Sequence, residues 1–179
     1  MKNTLVVNFF GEACTGKSTH ASGLYSALKK QGVSCELVRE TVKDVFYSGD
    51  KIPNQMLITG RQIEATDILL GKVDVVITDS PIALGAIYSK IYDGNGVATP
   101  LGSAIYHKFS EYNNYNILLK RDFEFIQEAR GSGNSARLVE EELNKLEFYD
   151  ELITSSQLKG YGELIFRIMQ RVQKDNLSL

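Results

Sequence analysis

Apolar positions along this chain come in short β-branched or aromatic bursts, separated by longer stretches in which they recur every three or four residues. Leu5–Phe10 is the first burst and predicts a strand. Lys17–Gln31 carries Ala21, Leu24, Ala27 and Leu28 on one stripe and stops at Gly32, the pattern of an amphipathic helix. Val33–Val38 predicts a second strand and Thr41–Ser48 a short helix. Asn54 is placed to cap a helix reaching about Leu70, which Gly71 ends. Val73–Thr78 is almost wholly β-branched and predicts a buried third strand. Pro81 suits the first turn of a helix through about Tyr92, followed by a loop over 93–100. Leu101–Tyr112 predicts a helix and Asn116–Lys120 a fourth strand. A mobile lid is expected over about 121–137, where the chain is polar and bears Gly131 and Gly133 as hinges. Leu138–Leu152 and Gly162–Lys174 predict the last helices. A complete sheet asks for a fifth strand between them, where Ser155, Ser156, Gly160 and Gly162 leave a weak β signal.

Strands alternating with helices imply parallel pairing through right-handed crossovers. The expectation is an α/β fold of three layers, one domain spanning residues 1–179. Ligands of such sheets lie at the carboxyl ends of the strands. Residues just after Phe10, Val38, Thr78 and Lys120 should therefore converge.

Composition narrows the field. With 179 residues, 43% hydrophobic and 23% charged, the chain suits one ordinary globular domain. A formal net charge of −2 gives no global field for a polyanion. No apolar run reaches the length of a spanning helix, so no membrane role is expected. Two cysteines, Cys14 and Cys35, suggest neither a disulfide framework nor a zinc site, and a cytoplasmic setting is the natural expectation.

The chemistry begins at Gly11-Glu-Ala-Cys-Thr-Gly16-Lys17-Ser18, a gapless G-x-x-x-x-G-K-[ST] between a predicted strand and a predicted helix. Glycines let backbone N–H groups turn inward around phosphate oxygens, and the helix adds its positive end. Gly11, Ala13, Cys14, Thr15 and Gly16 would form that cradle. Lys17 would meet the β and γ phosphates of ATP, Ser18 would ligate magnesium, and Thr19 would touch the α-phosphate.

Asp79 follows the third strand directly and suits magnesium's shell or an acceptor hydroxyl, and it also suits a helix cap before Pro81. Glu40 follows the second strand and suits a general base or a first-turn carboxylate. Arg61 and Gln62 lie on the helix before the third strand. Gln62 can pair with a base-like ring through its amide, or simply face solvent. Arg121 and Arg130, with Arg137, are lid cations suited to the charge of a phosphoryl group in transit. Glu140–Glu142 read as a solvated helix start. His20 and His107 lack companions at metal spacing and read as structural or surface residues.

Phe9–Thr19, Val38-Arg39-Glu40, Gly60-Arg61-Gln62 and Gly71–Pro81 resemble, over roughly residues 4–150, the small P-loop kinases common in bacteriophage genomes. These are relatives of nucleoside and nucleoside-monophosphate kinases, including thymidylate-kinase-like and nicotinamide-riboside-kinase-like proteins. The resemblance implies a five-stranded sheet in the order 2-3-1-4-5, a lid, and ATP with Mg2+. It implies that Glu40 and Asp79 serve the acceptor hydroxyl or the metal, and that Gln62 reads a base. Dimers are common among such kinases, which leaves a homodimer open. The chain departs from the pattern in its lid, which lacks a clear Gly-Arg pair, and in its faint fifth strand.

The leading functional expectation is transfer of the γ-phosphoryl of ATP to a nucleoside- or nucleotide-like small molecule. One branch of such viral kinases resembles enzymes that phosphorylate 5-hydroxymethyluracil within DNA, so modified DNA stands as an alternative acceptor. A P-loop ATPase or a non-catalytic nucleotide-binding module are the other readings.

Overall fold

The computed structural model describes residues 3–42, 47–49, 54–92, 100–122 and 133–177. Five parallel strands form one sheet: β1 (Leu5–Phe10), β2 (Cys35–Val38), β3 (Val75–Thr78), β4 (Asn113–Lys120) and β5 (Glu151–Thr154). Their spatial order is β2-β3-β1-β4-β5, the order the resemblance implies. Six helices accompany them among the described residues: α1 (Lys17–Lys30), α2 (Gln55–Asp67), α3 (Ala83–Tyr92), α4 (Pro100–Ser110), α5 (Gly133–Leu143) and α6 (Gly162–Leu177). None of them is long and apolar enough to cross a membrane.

Every residue of β1 and β3 is buried, as strands covered on both faces must be. Alternate side chains of β1 feed two cores. Leu5, Val7 and Phe9 join Leu24 and Leu28 of α1 and Ile165 and Ile168 of α6. Val6 and Phe10 join Leu84 and Ile87 of α3, Phe109 of α4 and Leu143 of α5. The period-2 alternation of strands thus fixes which helix lies on which face. Gly71, at φ 75°, closes the turn that delivers the chain from α2 to β3.

Three expectations need correction. The helix expected over Leu138–Leu152 ends at Leu143, and β5 occupies Glu151–Thr154, inside and just beyond that span. The helix tightens after Leu143 into short turns, with Lys145 N–H bonded to Glu142 O and Leu146 N–H to Leu143 O. Asp150 then locks the strand's register: its carboxylate accepts Asn116 N–H at 2.8 Å and its own N–H donates to Asn116 O at 2.8 Å. Second, β4 begins at Asn113, three residues before Asn116, because Asn113–Tyr115 pair in register with Leu5–Val7 of β1, and Asn114 and Asn116 also accept from Asn8. Third, Glu140–Glu142 close α5 rather than open a helix, and Glu142 pairs with Lys90 and Lys145. Of the short helix expected over Thr41–Ser48, Val42, Tyr47 and Ser48 are helical, and 43–46 lie outside the described residues.

Candidate nucleotide and acceptor site

The carboxyl edge of the sheet gathers the loop after β1, Glu40 after β2, Asp79 after β3 and Arg121 after β4. Loop 11–16 is held in shape by backbone geometry that few residues tolerate. Gly11 has φ 151°, and a Cβ there would lie 2.6 Å from Thr15 Oγ1 and 2.9 Å from Leu119 O. Gly16 has φ 86°, and Cys14 adopts φ 61° although it is not glycine. Thr15 is buried and its hydroxyl donates to Glu12 O at 3.0 Å, bracing the turn from within. Gly16 leads into α1, and no side chain caps the first turn, so the positive helix end faces the loop's concavity.

Lys17 folds back over the loop, its Nζ donating to Gly11 O at 2.9 Å and Glu12 O at 2.6 Å. Ala13 and Cys14 are half-buried at the loop's crest, and Thr19 is exposed on the outer side of α1. Ser18 Oγ donates to Asp79 Oδ2 at 2.5 Å. The other oxygen, Oδ1, accepts the backbone N–H of Glu40 at 2.9 Å. One buried carboxylate therefore spans the phosphate loop and the end of β2. A hydroxyl beside a carboxylate is an oxygen-rich pair suited to a hard cation such as Mg2+. Among the described residues no group of three His, Cys, Asp or Glu could hold a metal, so phosphate oxygens and water would have to complete such a shell.

Beside this pair opens a shallow cleft, lined by Glu40, Gln55, Ile58, Thr59, Pro81 and Tyr88 among others. Gln62 lines it too, and it is buried rather than solvent-facing; its Nε2 donates to Thr78 Oγ1 at 3.3 Å. Three oxygens of α2 in this wall, Gln55 Oε1, Thr59 Oγ1 and Gln62 Oε1, are buried without a hydrogen-bond partner. A buried acceptor left unmatched costs about 1–3 kcal/mol, so these oxygens call for a donor, from water or from a ligand. Arg61 and Arg39 are exposed, and neither is among the residues that line the cleft.

The lid arginines separate. Arg121 is mostly buried and pairs with Glu12, Nη2 to Oε1 at 2.8 Å. Arg137 lies on α5, exposed, and pairs with Glu141 at 2.5 Å, so it is a helix-surface cation rather than a lid residue. Gly133, expected as a hinge, is the first residue of α5. Arg130 and lid residues 123–132 lie outside the described residues.

Sequence reasoning missed Glu12, an unspecified position of its motif, and the presence of Gln55 and Thr59 in the cleft wall. It also missed a tie on the far side of the loop. His20 is buried, its Nε2 2.8 Å from Ser155 Oγ and its Nδ1 3.3 Å from Tyr161 OH. Burial pushes the imidazole's pKa below its ordinary value. Ser156, next in the chain, bonds to Asp122 through both its N–H and its hydroxyl. The 155–161 segment is thus fastened to α1 and to the end of β4. A signal for Gln55, Thr59 and Gln62 was present in their spacing of four and three, one face of a helix.

No family model and no curated protein matches the chain. Among solved structures, it is similar to the Mycobacterium tuberculosis APS kinase CysC in complex with AMPPNP and APS, at 11% identity and TM-score 0.53, over 97% of this chain and 99% of that one. It is similar as well to the YorR protein of Bacillus subtilis in complex with phosphorylated GDP, at 17% identity and TM-score 0.53, over 96% and 97%. With the sheet order and the phosphate loop, these likenesses show that the chain has the P-loop kinase fold.

Proposed function

We propose that the protein is an ATP-dependent phosphotransferase whose acceptor is an uncharged, nucleoside-like molecule bearing a hydroxyl. The observation that carries this reading is Asp79, whose two oxygens hold Ser18 of the phosphate loop and the backbone of Glu40 at the acceptor cleft. Donor and acceptor would meet across it.

In this reading, Lys17 leaves the carbonyls of Gly11 and Glu12 for the β and γ phosphates, joined by loop N–H groups and the end of α1. Ser18 and Asp79 would hold Mg2+, which when bound would neutralise phosphate charge. Glu40 would accept the proton as the acceptor oxygen bonds to the γ-phosphorus and the bond to the bridging oxygen breaks. Gln62, with Thr59 and Gln55, would read the N–H and O–H groups of a base-like ring. The described residues that line the cleft include neither lysine nor arginine, which favours a neutral acceptor over one carrying its own phosphate. The complexes of the two structural neighbours hold nucleotides, in keeping with a nucleotide-binding phosphotransferase, although those nucleotides are charged, unlike the acceptor proposed here.

A panel of nucleosides, their 5′-monophosphates and hydroxymethyluracil-containing DNA, each with Mg·ATP, tests the reading. At least one free nucleoside should be phosphorylated, and Lys17→Ala should lower that rate by about 100-fold or more with the fold intact by circular dichroism. No transfer to any member of the panel sinks the proposal.

A further inference from the structure

Glu12 occupies a position the phosphate-loop motif leaves free, yet its side chain is buried in the loop. Its carboxylate faces Arg121 at the end of β4, with Oε1 2.8 Å from Nη2. Lys17 from α1 and Glu140 from α5 also act on it, and Lys120 lines the same crevice. A buried carboxylate this close to a phosphate loop is a paradox, since it repels the polyanion such a loop would hold. The arginine beside it resolves the paradox only while it stays there.

We propose that Glu12 is a positioning residue that keeps Arg121 docked beside the phosphate loop and yields it to an arriving polyphosphate, taking up a proton as it does so. This rests on the nucleotide-binding part of the function proposed above. The geometry gives the sequence of events. A triphosphate in the loop offers Arg121 more negative charge than one carboxylate can. As the guanidinium turns to phosphate, Glu12 is left buried between like charges. Burial already raises its affinity for a proton, Arg121 being the main opposing influence and Lys17 a smaller one, while Glu140 adds to the rise. The carboxylate then becomes a carboxylic acid, with the proton drawn from solvent.

The test is calorimetry of Mg·ATP binding in buffers of different ionisation enthalpy, on the wild-type protein and on Glu12→Gln, Arg121→Gln and the double variant. Wild type should take up protons on binding, and Glu12→Gln should take up fewer while binding Mg·ATP about 3–10-fold more tightly, since a repelling charge is gone. In the Arg121→Gln background the Glu12→Gln change should matter much less, because loss of the arginine removes the main influence that keeps the buried carboxyl charged. Thermal unfolding without nucleotide guards against a purely structural pair. If Glu12→Gln lowers the melting temperature and leaves affinity and proton uptake unchanged, the inference is overturned. Equal tightening in both backgrounds overturns it too, since Glu12 would then act without Arg121. Failure of wild type to bind Mg·ATP would refute the nucleotide reading itself, a result distinct from these.

Discussion

His20 stands three residues after Lys17, and its ring is wedged between Ser155 and Tyr161. Burial holds its pKa below the value of about 6.5 that an unfolded chain would give. The unfolded chain therefore binds the proton more readily. Stability from this site is complete above about pH 6.5 and is lost as pH falls through and below it. Unfolding free energy measured by denaturant titration should drop between pH 7.5 and 5.5, and His20→Gln should flatten that slope. An unchanged slope in the variant would show that other groups set the acid sensitivity. Lys17 and Ser18 were readable from the motif because only glycine, lysine and a hydroxyl satisfy its geometry. Glu12 was not readable, because the motif leaves its position open and its importance arises from Arg121, more than a hundred residues away.

At the scale of elements, α2 mixes the usual pattern: Ile63 and Ala65 pack on the core, but its most buried residues are polar. Thr59, Gln62 and Thr66 face inward, while Met56, Leu57 and Ile68 are 63%, 48% and 57% exposed. Rules that send apolar residues inward misplace such a helix, which is why Gln62 looked solvent-facing from sequence. Thr59 and Gln62 of this polar face line the cleft, as the wall of the proposed acceptor site would require. Thr59→Val keeps the shape and removes the hydroxyl. It should raise KM for the acceptor by roughly 10-fold, the loss of about one hydrogen bond, and leave KM for ATP unchanged. Steady-state kinetics with each substrate varied in turn decides this. The helix misread over Leu138–Leu152 has a similar lesson. Val139, Leu143 and Leu146 keep a helical spacing of four and three, but Asp150 pairs with Asn116 on β4, and a long-range bond of this kind has no local signature.

Across the whole molecule, the sheet divides two cores and carries a polar seam through its centre. Asn8 Nδ2 donates to Asn114 Oδ1 and to Asn116 Oδ1, each at 2.9 Å, tying β1 to β4. Asn114 and Asn116 donate onward, Asn114 to Phe109 O and Asn116 to Phe148 O. Asn8→Val would strand two acceptors in the seam and should cost about 2–4 kcal/mol, read as a lower denaturation midpoint with unchanged m-value. Parallel pairing was readable because strands alternate with helices, whereas the strand order came from the resemblance to P-loop kinases. The seam was not readable, since it depends on register between strands more than a hundred residues apart.

The carboxylate of Asp79 touches both halves of the site at once, and reciprocity is the consequence. If nucleotide and acceptor bind as proposed, Asp79 would couple them, and linkage requires that whatever factor one gains from the other be returned in equal measure. Initial-rate plots with both substrates varied should intersect rather than run parallel, the mark of a ternary complex. Asp79→Asn should bring the two dissociation constants toward independence, so that the cooperativity measured between them collapses even where residual binding of each survives.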